Sequence, residues 1–225
     1  MFNIKYKLNN FLIIILFSIL IYILWLLKLL NDFPWRYVFT DWIINYKGGY
    51  IRRGLLGEFS VNLSTIFDIN IKFIFFVVHL LVYLIFHIYF FKFFSNFKRN
   101  YLFYIFCFSP LVFLYPITTF DALARKEIFY ITFFLINCYI LAKIENRKLA
   151  FWTTNTLVFL SYFIHESSLL FIYFYYFSFL IFLKRKEYPL KINEIIFVFI
   201  ILIFLIFLTF IPVTDEKMLK MVTFI

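Results

Sequence analysis

The chain has 225 residues, 65% of them hydrophobic and 26% aromatic, and a formal net charge of +10. A soluble domain of this length cannot hide so much apolar surface, whereas a bilayer solvates Leu, Ile and Phe without penalty, so a freely soluble protein is excluded. Nucleic-acid binding is set aside as the reason for the positive charge, because most Lys and Arg sit in short connections beside apolar segments, where they set orientation.

A spanning helix needs about 20 largely apolar residues. In chain order the candidates are 11–30, 71–91, 101–117, 128–144, 149–164, 168–183 and 195–212, with a long polar stretch over 31–70 after the first. The first segment is long and has no small-residue cleavage site, so it is read as a retained anchor and not as a signal peptide. Cys107 and Cys138 lie in apolar stretches with neither CxxC nor metal spacing, so they are read as buried thiols. The expected fold is therefore all-α, a polytopic transmembrane helical bundle of about seven spans forming one domain over 1–225.

Orientation follows from the basic connections. Lys5 and Lys7 precede span one, and Lys92, Lys98 and Arg99 follow span two. Arg147 and Lys148 join spans four and five, and Lys184, Arg185, Lys186 and Lys191 join spans six and seven. These groups fall on alternate connections, which places them together in the cytoplasm with the N-terminus. The long first loop, 118–127, the junction near 165 and the tail are then outside. A tail left outside without a basic closing segment is what a chain shortened at its C-terminus would show.

Three outer elements depart from what orientation alone requires. In the first, all 4 Gly of the chain (Gly48, Gly49, Gly54 and Gly57) share one run with Lys47, Arg52 and Arg53. Glycine lets backbone approach a ligand closely, and guanidinium groups bind phosphate oxygens bidentately, so the run is a candidate phosphate cradle. The competing reading is a tight turn into an interfacial amphipathic segment. Asp41 precedes the run and Glu58 closes it. Either carboxylate can serve as a general base on a hydroxyl, or pair structurally with the arginines. Trp35 and Trp42 are read as interfacial aromatics.

The second element leads into span four. Asp121 and Arg125, at i and i+4, would share a helix face and pair, and Lys126 adds positive charge. The third is His165-Glu166 at the junction of spans five and six, where apolar flanks leave almost no loop. An ionisable pair there is costly and usually faces a cavity. The competing reading is a buried turn with a His–Glu hydrogen bond. His79 and His87, inside span two, are offset by about 80° on a helix, which suits interhelical hydrogen bonding better than a metal site.

The pieces Ala124-Arg125-Lys126-Glu127-Ile128 and Phe163-Ile164-His165-Glu166-Ser167-Ser168-Leu169 resemble the short outer motifs of bacterial polysaccharide repeat-unit polymerases of the Wzy and EpsG type. Asp41 is similar in place to the acidic residue of the first outer loop in membrane GT-C glycosyltransferases. The run from Gly48-Gly49 through Arg52-Arg53 to Glu58 resembles that of membrane proteins from surface-polysaccharide loci.

The resemblance implies a glycosyltransferase of the cytoplasmic membrane that joins undecaprenyl-pyrophosphate-linked oligosaccharides on its outer face. It implies polysaccharide-assembly proteins as partners and no metal or other cofactor. Asp41, His165 and Glu166 would be catalytic. Gly48, Gly49, Arg52, Arg53, Glu58, Asp121, Arg125 and Lys126 would bind substrate. Readings of other classes are a lipid-linked sugar flippase and a non-catalytic membrane scaffold.

Overall fold

In lipid, backbone N–H and C=O groups must find partners within their own segment, so apolar runs of this length become helices. The computed structural model describes residues 4–31, 42, 44, 46, 54–94 and 125–211. All regular structure there is helical: α1 (Ile4–Asn31), α2 (Leu55–Phe67), α3 (Ile71–Phe94), α4 (Glu127–Lys143), α5 (Arg147–Ile164), a 3-10 segment η1 (Glu166–Phe171), α6 (Ile172–Arg185) and α7 (Ile192–Thr209). Among the described residues three helices are long and apolar enough to cross a membrane: α3, η1 with α6, and α7. Predicted span three, 101–117, lies outside the described residues.

Helix ends follow local chemistry. Asp68 takes the left-handed conformation (φ 51°) and stops α2, and the Asn70 side chain accepts from the Lys72 N–H to start α3. Asn146 caps α5 by accepting from the Leu149 N–H at 3.1 Å. Glu187, at φ 55°, turns the chain between α6 and α7.

Side-chain contacts fix the helix directions. Late residues of α1 meet early residues of α3 (Tyr22 with His79), and earlier ones meet later ones (Ser18 with His87), so the two are antiparallel. Phe129 lies on His79 and Tyr139 on Tyr89, so α3 and α4 run parallel. Asn137 bonds Thr154, making α4 and α5 antiparallel, and Ser161 bonds Tyr175, making α5 and α6 antiparallel. Glu194 meets Arg147, while Leu205 and Leu208 pack with Val158 and Tyr162, so α7 runs parallel to α5.

One end of the bundle therefore collects the start of α1, the ends of α3, α4 and α6, and the starts of α5 and α7. Lys92, Lys143, Arg147, Lys148, Lys184, Arg185, Lys186 and Lys191 all sit there. Arg147 grips Glu194 bidentately, at 3.0 and 2.6 Å. Lys186 meets Glu145 at 3.3 Å, and Arg185 donates to the Ala142 carbonyl. Midway along the bundle a buried polar hub joins three helices: Thr154 donates to Asn137, whose amide donates to Ser178. Tyr176 on α6 donates to Asn155 on α5 at 2.8 Å. Such bonds hold helices together where lipid tails offer no hydrophobic drive for helix association.

Candidate functional site

The opposite end is closed by one aromatic and aliphatic cluster: Tyr22, Trp42, Leu56, Phe75, Tyr83, Phe129 and Ile164. Four of its members flank the three predicted outer elements. Trp42 follows Asp41, Leu56 precedes Glu58 by two residues, Phe129 follows Lys126 by three, and Ile164 immediately precedes His165. Elements far apart in sequence are thus brought to one end by a shared core.

Trp42 is 1% exposed, wedged edge-on to Phe75 (4.7 Å) and Phe129 (5.6 Å) and tilted over His79 (5.4 Å). The expectation of an interfacial ring is corrected: apolar partners from α3 and α4 enclose the indole. Trp35 lies outside the described residues. From Trp42 the chain runs across α2. The Tyr46 N–H donates to Glu58 Oε2 at 3.0 Å, and the Asn62 amide donates to Glu58 Oε1 at 3.3 Å. A Cβ on Gly57 would collide with the Ile44 carbonyl, and one on Gly54 would meet the Tyr46 ring at 2.7 Å. Close packing thus accounts for these two glycines, and Glu58 is engaged by protein groups. The residues that follow form α2, which buries only Leu56, Gly57 and Ser60.

At the head of α4 the residues split. Arg125 precedes the helix and lies 3.7 Å from Glu127, its side chain 42% exposed. The expected i, i+4 pair with Asp121 falls partly outside the described residues, since Asp121 does. Lys126 is 1% exposed, so the cation read as a substrate contact is enclosed in the protein.

His165 ends α5 in an extended conformation (φ −156°, ψ 124°) and caps η1. Its Nδ1 accepts from the Ser167 N–H at 3.2 Å and lies 2.7 Å from Ser167 Oγ. A nitrogen accepting from a backbone N–H carries no proton, so the neutral ring holds its hydrogen on Nε2. The ring is thereby set as a donor through Nε2. Glu166 is partly exposed and makes no hydrogen bond or ion pair among the described residues, which leaves its carboxylate available to accept a proton.

Inside the bundle the two α3 histidines behave differently. His87 Nδ1 lies 2.8 Å from the Tyr83 carbonyl and must donate to it; Nε2 then accepts from Ser18 Oγ at 3.1 Å, the expected interhelical bond. His79 is 2% exposed, packed among Tyr22, Trp42 and Phe129, and neither ring nitrogen has a hydrogen-bond partner among the described residues. The sequence carried no signal for Tyr22, Tyr83 and Ser18 as their companions, because pairing across helices depends on helix rotation. Among the described residues no three His, Cys, Asp or Glu side chains stand together in a way that could hold a metal ion.

Asp41, Gly48, Gly49, Arg52 and Arg53 lie outside the described residues, although their neighbours Trp42, Tyr46 and Gly54 are placed at this end. Comparison with family models, curated proteins and solved structures finds no match.

Proposed function

We propose that the chain is a membrane glycosyltransferase, of the kind that joins oligosaccharides carried on a lipid diphosphate, working at the end of the bundle opposite its basic connections. In this reading it crosses the membrane seven times: α1, α3, α4, α5, η1 with α6, and α7, together with 101–117. The parallel packing of α3 and α4 supports the seventh crossing, because α3 finishes at the end where α4 also finishes. At 17 and 18 residues, α4 and α5 are each roughly 26 Å long, close to the hydrocarbon thickness. Gathering of the basic helix ends at one side supports a cytoplasmic assignment for that side and an outer one for the candidate site.

The observation that supports the reading is the single buried cluster that joins Trp42, Leu56, Phe129 and Ile164, which are sequence neighbours of Asp41, Glu58, Arg125 and His165. Outside the membrane no nucleotide sugar is available, so the lipid diphosphate must supply the leaving group. An acceptor hydroxyl attacks the anomeric carbon, the anomeric C–O bond to phosphate breaks, and its electron pair leaves with the diphosphate. Arg52, Arg53 and Arg125 neutralise the charge that develops there. Glu166 or Asp41 takes the hydroxyl proton. His165, with its hydrogen on Nε2, donates to a phosphate oxygen or an acceptor hydroxyl.

The test is substitution of Arg52, Arg53 and His165 by Ala in cells that make the polymer. Shorter polymer and single repeat units stranded on lipid at the outer side are expected. Unchanged polymer length from a normally inserted protein sinks the reading. A second reading, a lipid-linked sugar flippase, draws on the polar file of His79, Tyr83 and His87 on α3 with Ser18 and Tyr22 on α1. It predicts that the stranded intermediate accumulates on the inner side.

A further inference from the structure

We propose that α2 is a membrane-interface helix: its Phe59, Leu63 and Ile66 face rests on acyl chains at the site end of the bundle, while Glu58, Asn62 and Thr65 stay among headgroups and water. The inference rests on α3 crossing a bilayer and not on the transfer chemistry. At 13 residues α2 is about 20 Å long, too short to be a span. It packs beside α3, and its Leu56 shares a core with Phe75. Its residues divide three ways. Leu56, Gly57 and Ser60 are buried against the bundle. Glu58, Asn62 and Thr65 form a polar face, where the Asn62 amide donates to Glu58 Oε1 and Thr65 Oγ1 turns back on the Val61 and Asn62 carbonyls. Phe59, Leu63 and Ile66 form an apolar face, Phe59 50% and Ile66 72% exposed, Leu63 half-buried. At 3.6 residues per turn the apolar face lies between the other two, roughly 100° from each. A surface helix of a soluble protein needs only a buried face and a polar one. A helix with a face for its bundle, a face for apolar chains and a face for water sits where those three meet.

What covers the apolar face follows from what continues it. Asp68, in the left-handed conformation, ends α2, and Ser64 ties the corner to α3. The Ser64 hydroxyl donates to the Ile69 carbonyl at 2.8 Å, and the Ser64 carbonyl accepts the Ile69 N–H at 3.2 Å. Round that corner Phe67, Ile69 and Phe73 are exposed as well. Phe73 heads a row on α3, continued by Leu81, Ile85 and Ile88, that the bundle leaves uncovered. Because α3 is long and apolar enough to cross a membrane, that row meets acyl chains, and the α2 face extends the same surface. Charge selects among lipids. Residues 55–70 contain Glu58 and Asp68 but no Lys or Arg, so anionic headgroups gain nothing there and apolar area alone seats the helix. Glu58 and Asn62 then lie at headgroup depth, together with the Tyr46 N–H that Glu58 accepts.

The experiment is spin labelling of the full-length protein in phosphatidylcholine vesicles, with and without added phosphatidylglycerol. Phe59→Cys, Asn62→Cys, Thr65→Cys and Ile66→Cys are labelled one at a time, with Leu81→Cys on α3 as the reference for lipid. The background carries Cys107→Ser and Cys138→Ser or, if that background unfolds early, is the parent with its own labelling subtracted. Accessibility to oxygen, which concentrates among acyl chains, is compared with accessibility to a water-soluble nickel chelate. Phe59 and Ile66 are expected to favour oxygen, at a depth of about 5–10 Å, and Asn62 and Thr65 to favour nickel. Added phosphatidylglycerol is expected to leave these depths unchanged. If all four α2 sites favour nickel while Leu81 favours oxygen, α2 stands in water and the proposal is overturned. If Phe59 and Ile66 are shielded from both reagents, protein covers the face, a second copy or another partner, and the proposal is overturned in that way. A depth that appears only with phosphatidylglycerol overturns the apolar account of the seating. Should Leu81 favour nickel too, the crossing by α3 fails first, and the proposal with it.

Discussion

The two ends of the bundle treat polar groups in opposite ways. At the basic end and in the hub beside it, polar side chains are paired: Arg147 with Glu194, Lys186 with Glu145, Tyr188 with the Glu145 carbonyl, Asn137 with Thr154 and Ser178. In the opposite half, Tyr22 Oη, Ser60 Oγ, both ring nitrogens of His79 and Ser168 Oγ are fully buried with no hydrogen-bond partner among the described residues. A buried donor or acceptor left unmade costs about 1–3 kcal/mol, so a protein gains nothing in stability by keeping several. The basic end is built as scaffold. The other end carries groups that scaffold alone does not call for, and it is the end where the candidate site elements converge.

The largest effect should come from breaking the scaffold. Arg147 and Glu194 are 13% and 16% exposed and bonded in two places, and they tie the start of α5 to the start of α7. Arg147→Ala strands a poorly solvated carboxylate and is expected to destabilise the protein by about 3 kcal/mol. Arg147→Lys loses the bidentate geometry and should fall between. Denaturant unfolding in mixed micelles measures both. Loss of transfer activity beyond the loss of folded protein would place this end in the chemistry and erase the contrast.

At the site end the expected losses are functional. His165→Asn places an amide oxygen near the position of Nδ1, so the cap on Ser167 is kept while the Nε2 hydrogen is removed. Under the proposed transferase reading, transfer is expected to fall about 10²-fold, equivalent to roughly 2.7 kcal/mol in barrier, with unfolding close to the parent. His165→Ala removes the cap as well and should also cost about 1 kcal/mol of stability. Wild-type transfer from His165→Asn would reduce His165 to a turn residue.

The same contrast explains what could be read in the chain beforehand. The apolar runs located α1 and α3 to α7, with ends displaced by up to seven residues at the start of α1 and by about three at either end of α7, because lipid-length hydrophobicity interrupted by polar connections leaves little choice of element. Residues 55–67 were hidden inside a polar stretch, since α2 buries only Leu56, Gly57 and Ser60 and these carry no apolar period. The depth of Trp42 was not legible either: an indole near a span end reads as interfacial unless the helices that cover it are known. Gly54 and Gly57 looked like ligand-binding glycines, but Tyr46 and Ile44 are what approach them. At the α5–η1 junction the turn reading named a His–Glu hydrogen bond, whereas His165 Nδ1 takes Ser167, two residues on.

A smaller effect, of opposite sign, is expected from His79. Tyr22, Trp42 and Phe129 already surround its ring, and phenylalanine has nearly its shape without the two unbonded nitrogens. His79→Phe is expected to raise stability by about 1 kcal/mol, seen as a higher unfolding temperature in detergent. If it instead lowers stability, His79 has a partner in the working protein and the asymmetry between the ends shrinks. Transfer activity that falls while stability rises would bring His79 into the site.

The smallest effect probes the same helix pair from its satisfied side. Ser18 Oγ stands between Tyr83 Oη, at 3.3 Å, and His87 Nε2, at 3.1 Å, and so links α1 to α3 twice. Ser18→Ala removes the hydroxyl that meets Tyr83 Oη and His87 Nε2. Interhelical hydrogen bonds in membrane proteins average about 0.6 kcal/mol, and a loss of that order is expected here. His79→Phe and Ser18→Ala thus act two turns apart on one interface with opposite signs. Their double variant should lie near the parent in unfolding temperature if the two sites are independent. A double variant well below the parent would mean that the polar file between α1 and α3 is one coupled network, with His79 joined to it through Tyr22 and Tyr83, whose rings stack at 3.6 Å.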